Sequence, residues 1–407
     1  MLHIRINKSF REWLLLIVFY LLVFQSPLEL LVPIFVYIDE GFALLGLFFV
    51  AWQALKTGRL AMKKTDAGIV VLMLIFVAVG LLGNALFRYQ PMEAVLIDLY
   101  TNLKFFLAMI SGYALFTICK TEHTGRMLLG HSKMLCLMFF ALTCVNYVIP
   151  IFPTAGIRYG LPSIKLFYFH PTYLAGAVIM LLAVQMLFFE KKSIPYMAMG
   201  LFVVCATLRG KAIAGALAYV VIAYFVIWYR KKLRLWHMVA LCLAAITVAW
   251  EQISYYFIEL SGASARSVLV STSFEIMGDY FPIGTGFGTY ASASAMEYYS
   301  PVYYMYGLNL VHGLDETGAF GSDSFWPIII GQTGFIGTLC FVGVLVLLFL
   351  RLARARAIDR NAYAMGLFCF AYIMICSTAE PAFHNSVAIG LALIISFVFT
   401  LNKKHNN

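Results

Sequence analysis

Apolar runs long enough to cross a bilayer recur along the whole of this 407-residue chain. That recurrence restricts its fold more than any motif does. About 20 apolar residues of helix span a hydrocarbon core, and a helix satisfies all of its own backbone N–H and C=O groups there. Twelve windows fit: 12–37, 40–55, 67–87, 95–118, 127–150, 168–189, 194–208, 212–229, 235–257, 326–350, 361–379 and 385–402. Windows 40–55 and 194–208 are short, so eleven is the alternative count. Pro27 and Pro33 interrupt the first window, which predicts a kink or partial re-entry there. Charged residues make up 12% of the chain and hydrophobic ones 62%. A soluble domain has about a quarter of its residues charged, so these charges are too few to coat a water-facing surface. The expected fold is an all-α polytopic membrane protein, one integral domain over residues 1–407 in a lipid bilayer. The stretch after Arg5, Lys8 and Arg11 has no small-residue cleavage pattern and reads as a span rather than a removable signal.

The basic residues test this reading, because cytoplasmic loops carry an excess of lysine and arginine. With both termini cytoplasmic, 22 of the 29 basic residues fall on the inner side, in clusters such as Arg230-Lys231-Lys232 and Arg351 to Arg360. The net charge of +10 is then a topology signal, and no nucleic-acid partner follows from it. Seven basic residues remain on the outer side or within a span: Arg88, Lys104, Arg158, Lys165, Arg209, Lys211 and Arg266. Seven of the eight cysteines fall within windows, Cys119 lies one residue past the fourth, and none has metal-ligand spacing, so they read as packing residues, with no metal expected.

Arg209 and Lys211 stand in "TLRGK", the outer tip of a tight hairpin between windows seven and eight. A single cation there would snorkel to headgroups. Two of them, with five more exceptions nearby, point to an anion-binding basin, and the planar guanidinium fork suits phosphate.

Two outer loops complete the pattern. The smaller, "PIFPTAGIRYGLPSIKLFYFHPTYLAG" (150–176), carries Arg158, Lys165 and His170. The larger, 252–325, is rich in tyrosine, including Tyr255, Tyr256, Tyr290, Tyr303 and Tyr304. Tyrosine offers a flat apolar face with a hydroxyl, which suits sugar rings at a membrane surface. Within it, residues from Arg266 through Glu275 and Asp279 read as a short helix. The following "GTGFGTY" has the glycine spacing of a nucleotide fingerprint but lacks the strand–turn–helix context, so it reads as a structural turn.

An arginine-bearing hairpin tip, a large outer loop running from Arg266 into "PIGTGFG", and "SDSFWPIIIGQTGFIG" (322–337) together resemble the O-antigen polymerase and ligase superfamily. The resemblance extends from "YIDE" (37–40) and "DLYTNLKFF" (98–106) to the last windows and is strongest over 205–337. It implies the polytopic lipid-sugar glycosyltransferase fold. It also implies a metal-independent, cofactor-free enzyme at the outer face of a bacterial inner membrane, using an undecaprenyl-pyrophosphate-linked oligosaccharide. A flippase and a chain-length regulator are the implied protein partners. Ligases of the group carry His-Asn where this chain has Ser322-Asp323, which favours a polymerase producing O-antigen, capsule or exopolysaccharide. The arginine–glycine spacing of some polymerases is absent. A ligase acting on lipid A-core is the alternative within the class. A lipid-sugar flippase or transporter is the alternative outside it, although the halves of the chain show no repeat.

The chemistry assigns provisional roles. Pyrophosphate is a good leaving group that needs charge stabilisation, and preorganised cations supply it. Arg209 and Arg266 are expected to grip the donor diphosphate, assisted by Lys211 and Arg158. Lys165, His170, Glu275, Tyr290 and His312 are expected to line the substrate. The attacking sugar hydroxyl needs a base, for which Asp323 is the first choice ahead of Glu275, Asp279, His312 and His384. Asp323 also fits as the N-cap of the helix that follows it.

Overall fold

A computed structural model describes residues 8–57, 64–119, 122–229, 264–318 and 320–401. Window 235–257, the start of the large loop with Tyr255 and Tyr256, and both chain ends lie outside the described residues. The described chain is mostly helical, and its one sheet is a two-stranded hairpin, β1 (Ile157–Arg158) with β2 (Leu161–Pro162).

Helices α1 (Lys8–Val23), α2 (Gln25–Leu31), α3 (Ile38–Thr57), α4 (Lys64–Phe87), α5 (Met92–Cys119) and α6 (Glu122–Val148) precede the hairpin. After it come α7 (Pro171–Leu187), α8 (Ile194–Ala206), α9 (Gly210–Ile222), α10 (Ala265–Asp279), α11 (Phe325–Ala355), α12 (Arg360–Ser377) and α13 (Ser386–Ser396). Each expected window with described residues lies mainly in helix, with ends such as 149–150, 168–170, 188–189 and 378–379 outside it. Six stretches are long and apolar enough for a complete span: Pro33–Trp52, Thr65–Phe87, Met92–Cys119, His123–Val148, Gly210–Trp228 and Phe325–Ala355. The bent pair Trp13–Val23 and Gln25–Leu31 makes a seventh if counted as one. The expected twelve is not reached on that measure among the described residues.

The expected kink is real, and its cause is local. Helices α1 and α2 meet at 72° around Phe24. Pro27 has no N–H to give to the Val23 carbonyl four residues back. The Tyr168 hydroxyl donates to that carbonyl instead, at 3.0 Å, and the Phe169 N–H reaches Ser26 Oγ at 3.3 Å. The 150–176 loop is thereby seated in the bend.

A second break positions the large loop. Helix α11 packs along α4 and is interrupted at Gly334, whose φ of 57° and ψ of −155° only glycine adopts readily. A straight helix would satisfy the Gly331 and Gln332 carbonyls from residues 335 and 336. Here the N–H groups of Thr285 and Gly286 donate to them at 3.2 and 2.8 Å, while the Ile336 N–H turns to the Pro282 carbonyl at 3.1 Å. Non-helical backbone inside a helical bundle is tolerated when each freed polar group finds such a partner.

The glycine-rich segment is thus a buried structural turn. Asn84 clamps Phe287 through both its amide atoms, at 2.8 Å each, and Asp98 accepts the Gly288 N–H at 3.0 Å. The segment from Gly284 to Ser292 is buried throughout. Tyr290 and Tyr303 form the centre of a small separate core with Leu269, Ile276 and Ile328.

Candidate functional site

The 150–176 loop and the α8–α9 turn are joined by two hydrogen bonds. Ser163 Oγ donates to the Thr207 carbonyl at 2.7 Å, and the Ile164 N–H to Ala206 at 3.1 Å. This brings the N-termini of α7 and α9 to one pole of the bundle. His170 caps α7: its Nδ1 accepts the Thr172 N–H at 3.3 Å, with Pro171 in the first helical turn. Arg209 is the extended residue preceding α9, and Leu208 beside it takes a positive φ of 51° that makes the turn tight.

Arg209, Lys211, Arg158 and Lys165 all lie close enough to His170 to repel a proton from its ring. Burial first, and then the fields of these four cations, push the half-buried imidazole down to about 4. Four of the seven exceptional cations thus act electrostatically on one half-buried histidine that caps the N-terminus of α7. Helix N-termini add partial positive charge of their own.

The cluster is not a simple array of cations. Lys211 is ion-paired with Glu380, which stands in the turn between α12 and α13. Glu380 is a residue the sequence reading did not single out. Its signal was present in "STAEPAFHN", a lone acid between two apolar runs on the outer side.

Arg266 and Asp323 are also brought together, with Nη2 to Oδ2 at 3.2 Å. Asp323 is therefore not the N-cap of α11; Ser324 holds that position, and its side chain makes no capping bond. The two ion pairs belong to one pole. Phe325, two residues beyond Asp323, packs edge-on against His384 at 5.4 Å between ring centres, and His384 lies four residues beyond Glu380.

No protein-family model matches the chain, and no curated protein matches it either.

Other expected residues fall elsewhere. Tyr290 is fully buried and donates its hydroxyl to the Leu269 carbonyl at 2.7 Å, so it packs the loop rather than offering a ring to a sugar. Glu275 is exposed on α10, and His312 is exposed beside Phe320. Among the described residues, no hydrogen bond or ion pair joins either to the basic cluster. Asp279 accepts the Tyr306 hydroxyl at 2.6 Å. Lys165 Nζ contacts the Phe169 carbonyl at 3.4 Å.

Lys104 has a role the sequence left unassigned. It is 4% exposed and donates to Asp39 at 2.7 Å and to Glu40 at 3.0 Å, joining α5 to α3. The Tyr100 hydroxyl donates to the Glu40 carbonyl at 2.6 Å on the same seam. This is the "YIDE" stretch meeting "DLYTNLKFF". Among the described residues no group of three or more His, Cys, Asp or Glu side chains could hold a metal ion. The apolar crevice between Leu15, Phe19, Phe116, Leu128 and Leu393 offers nothing for a charged ligand.

Proposed function

We propose that the protein is a glycosyltransferase that polymerises lipid-diphosphate-linked oligosaccharide repeat units at the outer face of a bacterial inner membrane. The observation that carries this reading is the joining of the loop that bears Arg158, Lys165 and His170 to the turn that bears Arg209 and Lys211, through Ser163 to Thr207 and Ile164 to Ala206. Four cations gathered at one pole of an apolar bundle are costly unless an anion compensates them. Glu380 supplies one negative charge to the cluster, and a diphosphate would supply more.

In this reading Arg209 and Lys211 hold the donor diphosphate beside the α9 N-terminus, and the departing negative charge develops against them. Arg266 and Asp323 lie towards the acceptor, on the side where α10 and the start of α11 meet. Resemblance of the hairpin tip and of 322–337 to the polymerase and ligase group supports the substrate class. The Ser322-Asp323 pair supports polymerisation over ligation.

Purified protein in detergent, given a lipid-diphosphate-linked repeat unit, should convert it to a ladder of longer glycans. Arg209→Ala and Arg266→Ala should each abolish the ladder while remaining folded. Transfer only onto lipid A-core would make the protein a ligase, and no reaction with either acceptor would reject the reading.

A further inference from the structure

Besides Asp323 the structure holds a second candidate for the proton acceptor, one that its neighbours orient through a chain of hydrogen bonds. His384 Nε2 stands 3.2 Å from Asn102 Oδ1. Asn102 is 2% exposed, and its Nδ2 donates to the Asp98 carbonyl at 2.9 Å and to Asp98 Oδ2 at 3.2 Å. Asp98 is 1% exposed and also accepts the Gly288 N–H at Oδ2.

The two acceptors facing one end of Asn102 fix the orientation of its amide: nitrogen to Asp98, oxygen to His384. An amide oxygen only accepts, so the hydrogen in the His384 bond must sit on Nε2. In the neutral ring Nδ1 then carries the lone pair. Among the described residues Nδ1 has no hydrogen-bond partner. A carboxylate that orients an amide that orients an imidazole is the arrangement expected of a positioned base.

From this geometry we propose that His384 is the general base of the transfer, with Asn102 and Asp98 as its positioning residues; the proposal rests on the glycosyltransferase reading above. Its place is favourable. His384 is four residues along the chain from Glu380 and packs edge-on against Phe325, which follows Asp323 by two residues. As the acceptor oxygen bonds to the anomeric carbon, its proton passes to His384 Nδ1. The bond from that carbon to the diphosphate oxygen breaks, and its electron pair leaves with the diphosphate among Arg209 and Lys211. The proton then passes to solvent. Burial of the ring and the nearby Lys104 ammonium keep it uncharged but also lower its proton affinity, so it accepts the proton only with the anionic diphosphate bound nearby to offset that field.

The test uses the full-length protein in detergent with a lipid-diphosphate-linked repeat unit. His384→Gln should lower kcat by about 100-fold or more with KM little changed, as expected for loss of a general base. His384→Ala should regain turnover when imidazole is added, a response that a merely structural role would not give. Wild-type kcat in His384→Gln would overturn the proposal, as would a folded His384→Ala protein that imidazole does not rescue. A wild-type protein that elongates nothing would instead reject the glycosyltransferase reading, leaving ring nitrogen NMR of histidine-labelled protein to judge the relay. The resonance missing in His384→Gln should be that of a neutral Nε2–H ring at neutral pH. A charged or Nδ1–H ring would overturn the relay itself.

Discussion

Arg266 and Asp323, 57 residues apart in sequence, form an ion pair at 3.2 Å in which each side chain remains about one-third exposed. Exposed pairs of this kind contribute about 0.2–1 kcal/mol, too little to explain why a cation is placed against the orientation bias. A double-mutant cycle on thermal unfolding in detergent should therefore give a coupling below about 1 kcal/mol. The same Arg266→Ala substitution should lower kcat/KM for glycan elongation by about 100-fold or more, since removing one preorganised donor typically costs that much. A large stability coupling with little loss of turnover would make the pair a clamp between α10 and α11 and nothing else.

Lys104 presents the opposite balance. It is buried with Asp39, and breaking a buried pair by removing one partner typically costs about 3–5 kcal/mol, because a charge is left without compensation. Lys104→Met should therefore lower the melting temperature sharply. Adding Asp39→Leu and Glu40→Gln to it should recover most of the loss, because the seam between α3 and α5 would then be apolar. If Lys104→Met alone melts like the wild type, the seam is not held by this charge.

His170 gives a pH dependence whose sign is fixed. Its ordinary value of 6.5 is depressed to about 4 in the folded protein by burial and by Arg209, Lys211, Arg158 and Lys165. The folded state therefore disfavours the proton. The stability this contributes is fully present above about 6.5 and is lost as pH falls through about 4. His170→Gln should flatten the decline in melting temperature across that window. Inorganic pyrophosphate should raise the midpoint of the His170 ring resonance by cancelling the surrounding positive field. A midpoint that ignores pyrophosphate would remove His170 from the anion site.

Much of this was legible in the chain, and the exceptions have physical causes. Apolar periodicity located the helices, and Pro27 located the bend, because both effects act over neighbouring residues. The basic cluster was legible because orientation bias makes an outer lysine or arginine conspicuous. Glu380 was not, because an acid beside a span has no such bias against it, and Asn102 and Asp98, inside window 95–118, took on a role only through their distant partners. Their partners, Lys211, His384 and Gly288, lie 169, 282 and 190 residues away in sequence. Tyr290 misled for a related reason. A tyrosine in an outer loop has the same composition signal whether its ring faces sugar or fills a core, and only the fold of "GTGFGTY" against α11 decides.

That last contact supplies the sharpest structural prediction. Gly286 has a φ of +99°, and a Cβ there would stand 2.5 Å from the Asn84 backbone nitrogen and 2.6 Å from its amide. Gly334 meets the same difficulty from the other side, since its Cβ would collide with the Gly284 backbone nitrogen. Backbone atoms cannot swing aside as a flexible side chain can, and each strained φ adds about 1–3 kcal/mol. Gly286→Ala and Gly334→Ala should therefore each reduce the yield of monodisperse protein and lower its melting temperature. Gly278→Ala serves as the control, because the space around Gly278 is open and it lies within helix α10. If Gly286→Ala melted no lower than Gly278→Ala, the loop would not be locked into the break in α11. The alignment of Asp98, Asn102 and His384 would then lose one of its supports, because the Gly288 N–H that Asp98 accepts comes from this same turn.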